Sequence, residues 1–296
     1  MLLALITSMP EFITGVSAVA LLKPPEPDLA LGTLFGSCLF NLFILAVLDV
    51  MHRPAPLLNK ASSVHMLSAG LGVLLMALAA GAILTGEWFS GLAVGWVGIP
   101  SFIIVIIYLA GVRGMFRLER GQQLSPPEAT ALRYEDISMG KVWFGFALAA
   151  VAVIGAGVWL SFIGDEIAET TGWGTTFVGS IFLAISTSMP ELVVTIAALR
   201  LGAVDMAVAD ILGANMLDVA HIFTVDVFYA RGPVLSAVSS SHLITAAVVV
   251  VMSLVVIAGL RFRQRRKTFT VISWYSLALI GLYILGAYAL FTSAVG

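Results

Sequence analysis

The chain contains the sequence Thr-Ser-Met-Pro-Glu twice, at residues 7–11 and 187–191. Both copies lie inside long apolar stretches, where a carboxylate next to a helix-breaking proline is energetically expensive. Because the same costly feature is repeated, its chemistry is expected to be used. We therefore predict that Glu11 and Glu191 contribute to an intramembrane site for a cation or a proton, in a protein built from two related halves.

The composition is that of a polytopic membrane protein. Hydrophobic residues make up 60% of the 296, charged residues only 11%, and the mean hydropathy is +1.05. A soluble protein of this size needs a more polar surface, so the expected surroundings are the lipid bilayer, with no nucleic-acid partner. The single cysteine, Cys38, excludes an intrachain disulfide and a multi-cysteine metal site.

Nine apolar segments are each near the roughly 20 residues that a helix needs to cross the hydrocarbon. They lie roughly at residues 1–22, 31–50, 64–84, 89–111, 142–163, 175–199, 206–229, 238–260 and 270–292. The predicted fold class is therefore an all-α polytopic membrane protein. An intramembrane aspartyl protease would need two close aspartates and would not explain the doubled motif, so an enzyme is not expected.

The basic residues predict the orientation of the spans in a cell (inner) membrane. The opposite side carries only Lys23 and Arg231, whereas the loops after spans 2, 4, 6 and 8 carry the other 13 of the 15 basic residues. These are Arg53, Lys60, Arg113, Arg117, Arg120, Arg133, Lys141, Arg200, Arg261, Arg263, Arg265, Arg266 and Lys267. The positive-inside rule places these loops in the cytoplasm and the C-terminus outside.

The repeat continues beyond the first motif. Gly36–Asn41 in span 2 corresponds to Gly213–Asp218 in span 7, 177 positions later. The same offset relates Asp28 to Asp205, Asp49 to Asp226 and Pro56 to Pro233. Span 1 is expected to begin in the cytoplasm and span 6 outside, so the two copies are inverted. Inverted repeats form a binding site between them near the membrane midplane.

Two inverted repeats of five helices would make ten, of which nine are present in this chain. The fifth predicted span has no counterpart before span 1, so the first repeat is expected to be incomplete. We assign residues 1–112 to that repeat (helices 2–5), 113–140 to a cytoplasmic linker, and 141–296 to the second repeat (helices 6–10).

The polar groups near the two glutamates are all oxygens or amides. Thr7 and Ser8 lie four and three residues before Glu11, so they share one helix face with it, and Ser37 and Asn41 are also four residues apart. Prolines within the spans free additional backbone carbonyls. Hard cations such as Ca²⁺ and Na⁺ prefer such ligands, whereas zinc and copper prefer His and Cys.

These motifs resemble the two α-repeats of the cation/Ca²⁺ exchanger superfamily, in particular its prokaryotic sodium/calcium exchangers. The resemblance is carried by residues 7–11 followed by Gly36-Ser37-x-x-x-Asn41, and by residues 187–191 followed by Gly213-Ala214-Asn215-x-x-Asp218. It implies ten helices in two inverted sets of five, of which this chain lacks the first. It also implies that Ca²⁺ and Na⁺ are the transported ions, with no cofactor.

The resemblance also implies the roles of individual residues. Glu11 and Glu191 would be the central Ca²⁺ ligands, and Asn41 and Asp218 the polar pair between them. The remaining implied ligands are the carbonyls of Thr7 and Thr187 for Ca²⁺, and Ser8, Ser188, Ser37 and the carbonyls of Ala4 and Ala184 for Na⁺.

Three positions depart from the family pattern. Asp210 replaces a usual asparagine and is expected to act either as a third carboxylate ligand or as a helix-packing polar group. Ala214 replaces a serine, and Cys38 replaces an asparagine.

Asp49 and Asp226 are expected to lie at the membrane interface or to line an aqueous lumen.

The predicted function is a secondary-active antiporter that exchanges Na⁺ for Ca²⁺ through a midplane site with two glutamates. Two alternatives remain open at this point: a cation/H⁺ exchanger on the same fold, and a truncated, transport-inactive homologue. The Gly-Asn-x-x-Glu pattern of the proton-coupled branch is absent, which favours sodium. The sequence does not predict an oligomeric state.

Overall fold

The computed structural model describes residues 2–53, 55–86, 92–121, 139–263, 267–268 and 271–295. These residues are almost entirely helical, apart from a short hairpin of β1 (Ala93–Val94) and β2 (Val97–Gly98). The helices are α1 (Leu2–Thr7), α2 (Met9–Ala20), α3 (Pro27–Met51), α4 (His65–Leu84), α5 (Ile99–Gly121), α6 (Met139–Thr171), α7 (Thr175–Thr187), α8 (Met189–Arg200), α9 (Val204–Tyr229), α10 (Val234–Ala237), α11 (His242–Arg261) and α12 (Trp274–Val295). The described residues also contain a 3₁₀ turn, Leu57–Asn59.

The all-α polytopic fold that the sequence predicts is confirmed. Within the described residues, seven helices are long and apolar enough to cross a membrane: α3, α4, α5, α6, α9, α11 and α12. The bent pair of α7 and α8 makes an eighth span. The first predicted span, residues 1–22, contains α1 and α2 and is broken at the equivalent position. Most of the predicted linker, residues 122–138, lies outside the described residues.

Two predicted boundaries need correction. The fourth span was placed at 89–111, but α5 begins at Ile99, after the hairpin, and residues 87–91 lie outside the described part of the chain. Pro100 explains the later start, because proline is favoured in the first turn of a helix, where its missing N–H has no partner to lose. The fifth span was placed at 142–163, whereas α6 extends from Met139 to Thr171.

Helices α3 and α9 form the centre of the molecule. In their most apolar windows, 89% of the residues of α3 and 72% of those of α9 are buried, compared with 17% for α6. A helix that is hydrophobic on all sides is expected in such a position. The two central helices contact each other, and each also packs against four or more surrounding helices. They therefore position the side chains between the two halves.

Glycines allow α3 to approach α7 very closely. Gly32 and Gly36 face a π-helical segment of α7, Val178–Leu183. A Cβ atom on Gly36 would lie 2.2 Å from the backbone oxygen of Ser180, and one on Gly179 would lie 2.7 Å from that of Leu29. Small residues four apart are the usual means by which membrane helices bring their backbones together.

Two buried aspartates at the ends of the central helices anchor loops. Asp226 accepts hydrogen bonds from Val234 N (2.7 Å), Gly98 N (2.9 Å) and Ser101 Oγ (2.5 Å). Asp49 accepts equivalent bonds from the N–H groups of Leu57 and Ser273 and from the hydroxyls of Ser273, Tyr275 and Ser276, and Lys267 lies beside it. Both aspartates are fully buried, so the expectation that they line an aqueous lumen is wrong, whereas a position at the membrane interface stays a prediction.

A second pair of aspartates contacts histidines across the two halves. Asp205 contacts His65 Nε2 at 2.8 Å, and Asp28 contacts His242 Nε2 at 3.0 Å. Each aspartate also accepts a hydrogen bond of 2.7 Å from a backbone N–H, that of Ser62 or Ser239. Every partner in one contact lies 177 positions from its equivalent in the other. The internal repeat seen in the sequence thus recurs in the tertiary contacts.

We expect Gly36→Ala to destabilise the protein by about 3 kcal/mol, because overpacking against backbone atoms cannot be relieved by a side-chain movement. The matched control is Gly81→Ala in α4, where an added Cβ meets nothing within 4 Å. That change should be neutral or should stabilise by up to about 1 kcal/mol through helix propensity. Thermal unfolding of the two variants in detergent measures the difference, and equal melting temperatures would contradict the close packing of α3 on α7.

Candidate cation-binding site

Both copies of Ser-Met-Pro-Glu interrupt a helix at the serine. Ser8 has φ −82° and ψ 9°, Ser188 has φ −86° and ψ 12°, and α7 and α8 meet at an angle of 41°. The proline that follows lies in the first turn of the next helix, where its missing N–H is harmless. Glu11 and Glu191 therefore lie in the first turns of α2 and α8, where the helix dipole favours a negative charge.

The two motifs face each other and exchange hydrogen bonds. Ser188 Oγ donates to Glu11 Oε1 at 2.8 Å, and Ser8 Oγ donates to Glu191 Oε1 at 3.2 Å. Both glutamates are fully buried. Residues 180 positions apart in the sequence thus form one cluster.

Helix α3 contributes the next polar group to the cluster. Ser37 Oγ donates to Glu11 Oε1 at 3.3 Å and lies 3.4 Å from Thr187 Oγ1. The predicted association of Ser37 with the two motifs is therefore present in the geometry. Ser37 is fully buried, so its hydroxyl contacts other protein groups rather than bulk solvent.

The two threonines bond back to their own helices. Thr7 Oγ1 lies 3.3 Å from the carbonyl of Ala4, and Thr187 Oγ1 lies 3.2 Å from that of Ala184. The same carbonyls also accept the backbone N–H groups of Ser8 and Ser188, at 2.9 and 3.0 Å. A cation bound to either alanine carbonyl would therefore displace the threonine hydroxyl.

Helices α3 and α9 cross beside this cluster. Asn41 is fully buried, and both polar atoms of its amide have no partner among the described residues. Asp218 Oδ2 lies 4.0 Å from Cys38 Sγ. Asn215 Nδ2 donates to the carbonyl of Cys38 at 3.2 Å, and Cys38 Sγ lies 3.5 Å from the carbonyl of Asn215. Sequence reasoning missed this reciprocal contact, although the 177-residue offset between Cys38 and Asn215 indicates it.

Several buried oxygens in this region have no hydrogen-bond partner among the described residues. They are Glu11 Oε2, Glu191 Oε2, Asp218 Oδ1, Asn41 Oδ1, Asn215 Oδ1 and both carboxylate oxygens of Asp210. In the described residues, the carboxylates in close contact with a Lys or His side chain are those of Asp205, Asp28 and Asp49, and none of these groups is among them. Buried polar atoms are normally paired, so a concentration of unpaired oxygens indicates a place for a bound cation or proton.

Asp210 lies on α9, at a distance from Asp218 along the helix. It is 2% exposed and precedes Asp218 on α9 by eight residues, or about 12 Å of helix. Its carboxylate has no hydrogen-bond partner in the described structure. Ala214, between them, is fully buried and offers no hydroxyl.

The ligand set favours oxygen-seeking cations. In the described part of the chain, no three His, Cys, Asp or Glu side chains converge closely enough to form a metal cluster. Hydroxyl, amide and carbonyl oxygens would therefore have to complete any coordination shell. Ca²⁺ and Na⁺ accept such neutral oxygen ligands.

An acidic cluster surrounds the start of α3, near the end of α6. Burial, together with the negative charges of Asp165, Asp28 and Glu169, raises the pKa of Glu26. Clustered negative charge raises the local concentration of cations at a membrane surface.

Two cavities lie beside the broken helices and beside α9. One, of about 460 Å³, lies between α6 and the helix breaks and is lined by Pro10, Thr187 and Pro190. The other, of about 560 Å³, lies among α4, α5 and α9 and is lined by Gly213 and Met216. Of the predicted site residues, Thr187 lines the first cavity and none lines the second.

Comparison with known proteins identifies the family. The sequence model described as "Sodium/calcium exchanger protein" matches residues 1–113 and 141–292. The chain belongs to this family. The inner membrane protein YrbG of Escherichia coli K12 is 28% identical over 242 residues, which cover 77% of this chain and 67% of YrbG.

Solved structures have the same fold. The sodium-calcium exchanger NCX_Mj superposes with a TM-score of 0.62 at 20% identity, covering 97% of this chain and 84% of its own. The Ca²⁺/H⁺ antiporter protein YfkE superposes with a TM-score of 0.60 at 19% identity, covering 98% and 84%. At these sequence identities the similarity establishes the fold alone. The ions in the names of NCX_Mj and YfkE are those of these two proteins.

We expect Ser188→Ala to weaken the rise in melting temperature that a bound cation produces. Removing a hydrogen bond to a charged group costs about 1.5–3 kcal/mol, so the half-maximal rise should need about tenfold more cation. Melting temperature measured against Ca²⁺ or Na⁺ concentration tests this. The matched control is Ser186→Ala, because Ser186 is exposed and bonds only to the carbonyl of Phe182 in its own helix. Identical curves for the two variants would contradict the site.

Proposed function

We propose that this family member is a secondary-active antiporter that exchanges Na⁺ for Ca²⁺ at the site between Glu11 and Glu191. Its family consists of exchangers rather than typical enzymes. What we propose beyond the family is that the two exchanged ions are Na⁺ and Ca²⁺. The observation that carries it is the pair of fully buried glutamates. Each has one oxygen without a partner among the described residues, and its other oxygen accepts a hydrogen bond from the opposite motif.

Competition between the ions provides the mechanism of exchange. Two carboxylates at one buried site are neutralised by one Ca²⁺ or by Na⁺ ions that the neighbouring hydroxyl oxygens coordinate. The bare carboxylates resist a conformational change, because their charges would have to cross a low-dielectric barrier. Since only the loaded site moves readily, the flux of one ion is coupled to the counterflux of the other.

The proposed ligand roles follow the family pattern. Glu11 and Glu191 bind Ca²⁺ directly, and Asn41 and Asp218 adjoin them across the crossing of α3 and α9. The other proposed ligands are the carbonyls of Thr7 and Thr187 for Ca²⁺, and Ser8, Ser188, Ser37 and the carbonyls of Ala4 and Ala184 for Na⁺. Asp210 is proposed as a third carboxylate on the path along α9, with a helix-packing role as the alternative.

The proposed architecture is a pair of inverted repeats, residues 1–112 and 141–296, joined by a linker at 113–140. The 177-residue offset shared by the two Asp–His pairs supports this division. The family match is also interrupted between residues 113 and 141. An inverted pair explains why two identical motifs meet face to face near the midplane.

A proton is the rival counter-ion. The similar fold of YfkE, named a Ca²⁺/H⁺ antiporter, is the observation that favours it. The same glutamates could be neutralised by protons, whereas the hydroxyls of Ser8 and Ser188, bonded across the site, favour a cation that needs neutral oxygen ligands.

The coupling ion is tested by uptake of ⁴⁵Ca²⁺ into vesicles that contain the purified protein. We expect uptake to follow an imposed sodium gradient and to continue when an ionophore removes the pH gradient. Uptake that only a pH gradient can drive would replace sodium by protons in this proposal.

Glu11→Gln and Glu191→Gln should each lower the Ca²⁺ flux by at least about 100-fold, because removing one charge from a buried cluster costs about 3–5 kcal/mol. Glu166→Gln is the control, since Glu166 is an exposed glutamate on α6. If both site variants retain the flux of Glu166→Gln, the site assignment is wrong. If the wild-type chain carries no flux, it is transport-inactive.

We further propose the inner membrane as its location, with the basic loops in the cytoplasm and the C-terminus outside. The relative YrbG is named an inner membrane protein. Alkaline phosphatase fused after residue 296 should be active, and green fluorescent protein at the same point should be dark. The opposite result would reverse the orientation.

A further inference from the structure

Cys38 lies at the centre of the molecule, where α3 crosses α9. It follows Ser37 directly, precedes Asn41 by three residues and is fully buried. Its counterpart at the 177-residue offset is Asn215, and each of the two contacts the backbone carbonyl of the other. One half thus presents an amide at this point and the other half presents a thiol.

The thiol contacts a carboxylate that has spare ligand capacity. Cys38 Sγ is 4.0 Å from Asp218 Oδ2, and Asp218 Oδ1 has no partner within the described residues. The amide oxygen of Asn41, on the same helix as Cys38, is also unpaired there. A thiol is a weak hydrogen-bond donor, so it satisfies Asp218 less well than an amide would.

The spacing suits a metal ion bound between sulfur and oxygen. A zinc ion takes a cysteine sulfur at about 2.3 Å and a carboxylate oxygen at about 2.0–2.2 Å, so a single ion can bridge a gap of this size. Thiolate ligands select soft metals, whereas the remaining oxygens of the site suit hard cations.

We propose that Cys38 supplies a sulfur ligand beside Asp218, so that thiophilic divalent cations such as Zn²⁺ and Cd²⁺ bind this site in competition with Ca²⁺. The inference rests on the proposed function only in taking this cluster as the place where Ca²⁺ binds. On metal binding the thiol proton passes to water, and the sulfur coordinates as a thiolate. Since transport requires an ion to leave as well as to enter, such tightly held cations block exchange.

The test is Cd²⁺ binding to the purified full chain, followed by the ultraviolet charge-transfer band of a cadmium–thiolate bond. The chain has one cysteine, so any such band reports Cys38. We expect the band to appear on titration with Cd²⁺ and to be reversed by excess Ca²⁺. In Cys38→Ser the band should vanish and the Cd²⁺ affinity should fall at least about tenfold, since even outer-shell partners of metal ligands cost that much.

Two variants keep the result interpretable. Cys38→Asn restores the amide found at Asn215 and replaces Cys38→Ser if the serine variant fails to fold. Phe262→Cys in the Cys38→Ser background places a thiol at an exposed position just past the end of α11, where Cd²⁺ bound to it should not compete with Ca²⁺.

A wild-type chain that binds Cd²⁺ without the band, or a Cys38→Ser variant with unchanged Cd²⁺ affinity, would overturn the inference. A band that excess Ca²⁺ does not reverse would overturn the shared site. A reversible band in a chain that carries no ⁴⁵Ca²⁺ flux would refute the antiporter while leaving the sulfur ligand established.

Discussion

The structure depends on the cost of burying a carboxylate in hydrocarbon. Glu11, Glu191 and Asp218 are fully buried, and each has an oxygen with no partner in the described residues. Such groups are tolerated only if a cation or a proton neutralises them. The broken helices, the crossing of α3 and α9 and the close glycine packing all serve to bring these groups together.

Other aspartates in the same protein illustrate the contrast. Asp49 and Asp226 are also fully buried, but hydrogen bonds from backbone N–H groups and hydroxyls satisfy their oxygens. They hold loops at the ends of the central helices. Asp218 has the same residue type and the same burial, so it differs from these two structural aspartates in its partners, because its Oδ1 has none among the described residues.

The two halves share a backbone pattern but differ in chemistry at matched positions along α3 and α9. Among these, Ser37 corresponds to Ala214, Cys38 to Asn215, Asn41 to Asp218 and Thr33 to Asp210. Thr33 bonds to the carbonyl of Leu29 in its own helix, whereas Asp210 has no partner in the described structure. A repeated fold thus surrounds a cluster whose two sides present different groups, a thiol on one side and an amide and an extra carboxylate on the other.

The sequence by itself determined the all-α membrane fold and seven of the nine predicted spans to within a few residues, and it singled out the doubled motif. Hydropathy and an expensive, repeated Pro-Glu pair are local properties, so they can be read along the chain. The later start of α5 was missed, because the hairpin before it is apolar as well. Only the tertiary structure decided that Ser8 bonds to Glu191 rather than to Glu11, that Asp49 and Asp226 are satisfied while Asp218 is not, and that Cys38 touches Asp218. Most of these contacts join residues more than 100 positions apart, and their partners depend on how the helices cross, which no local pattern specifies.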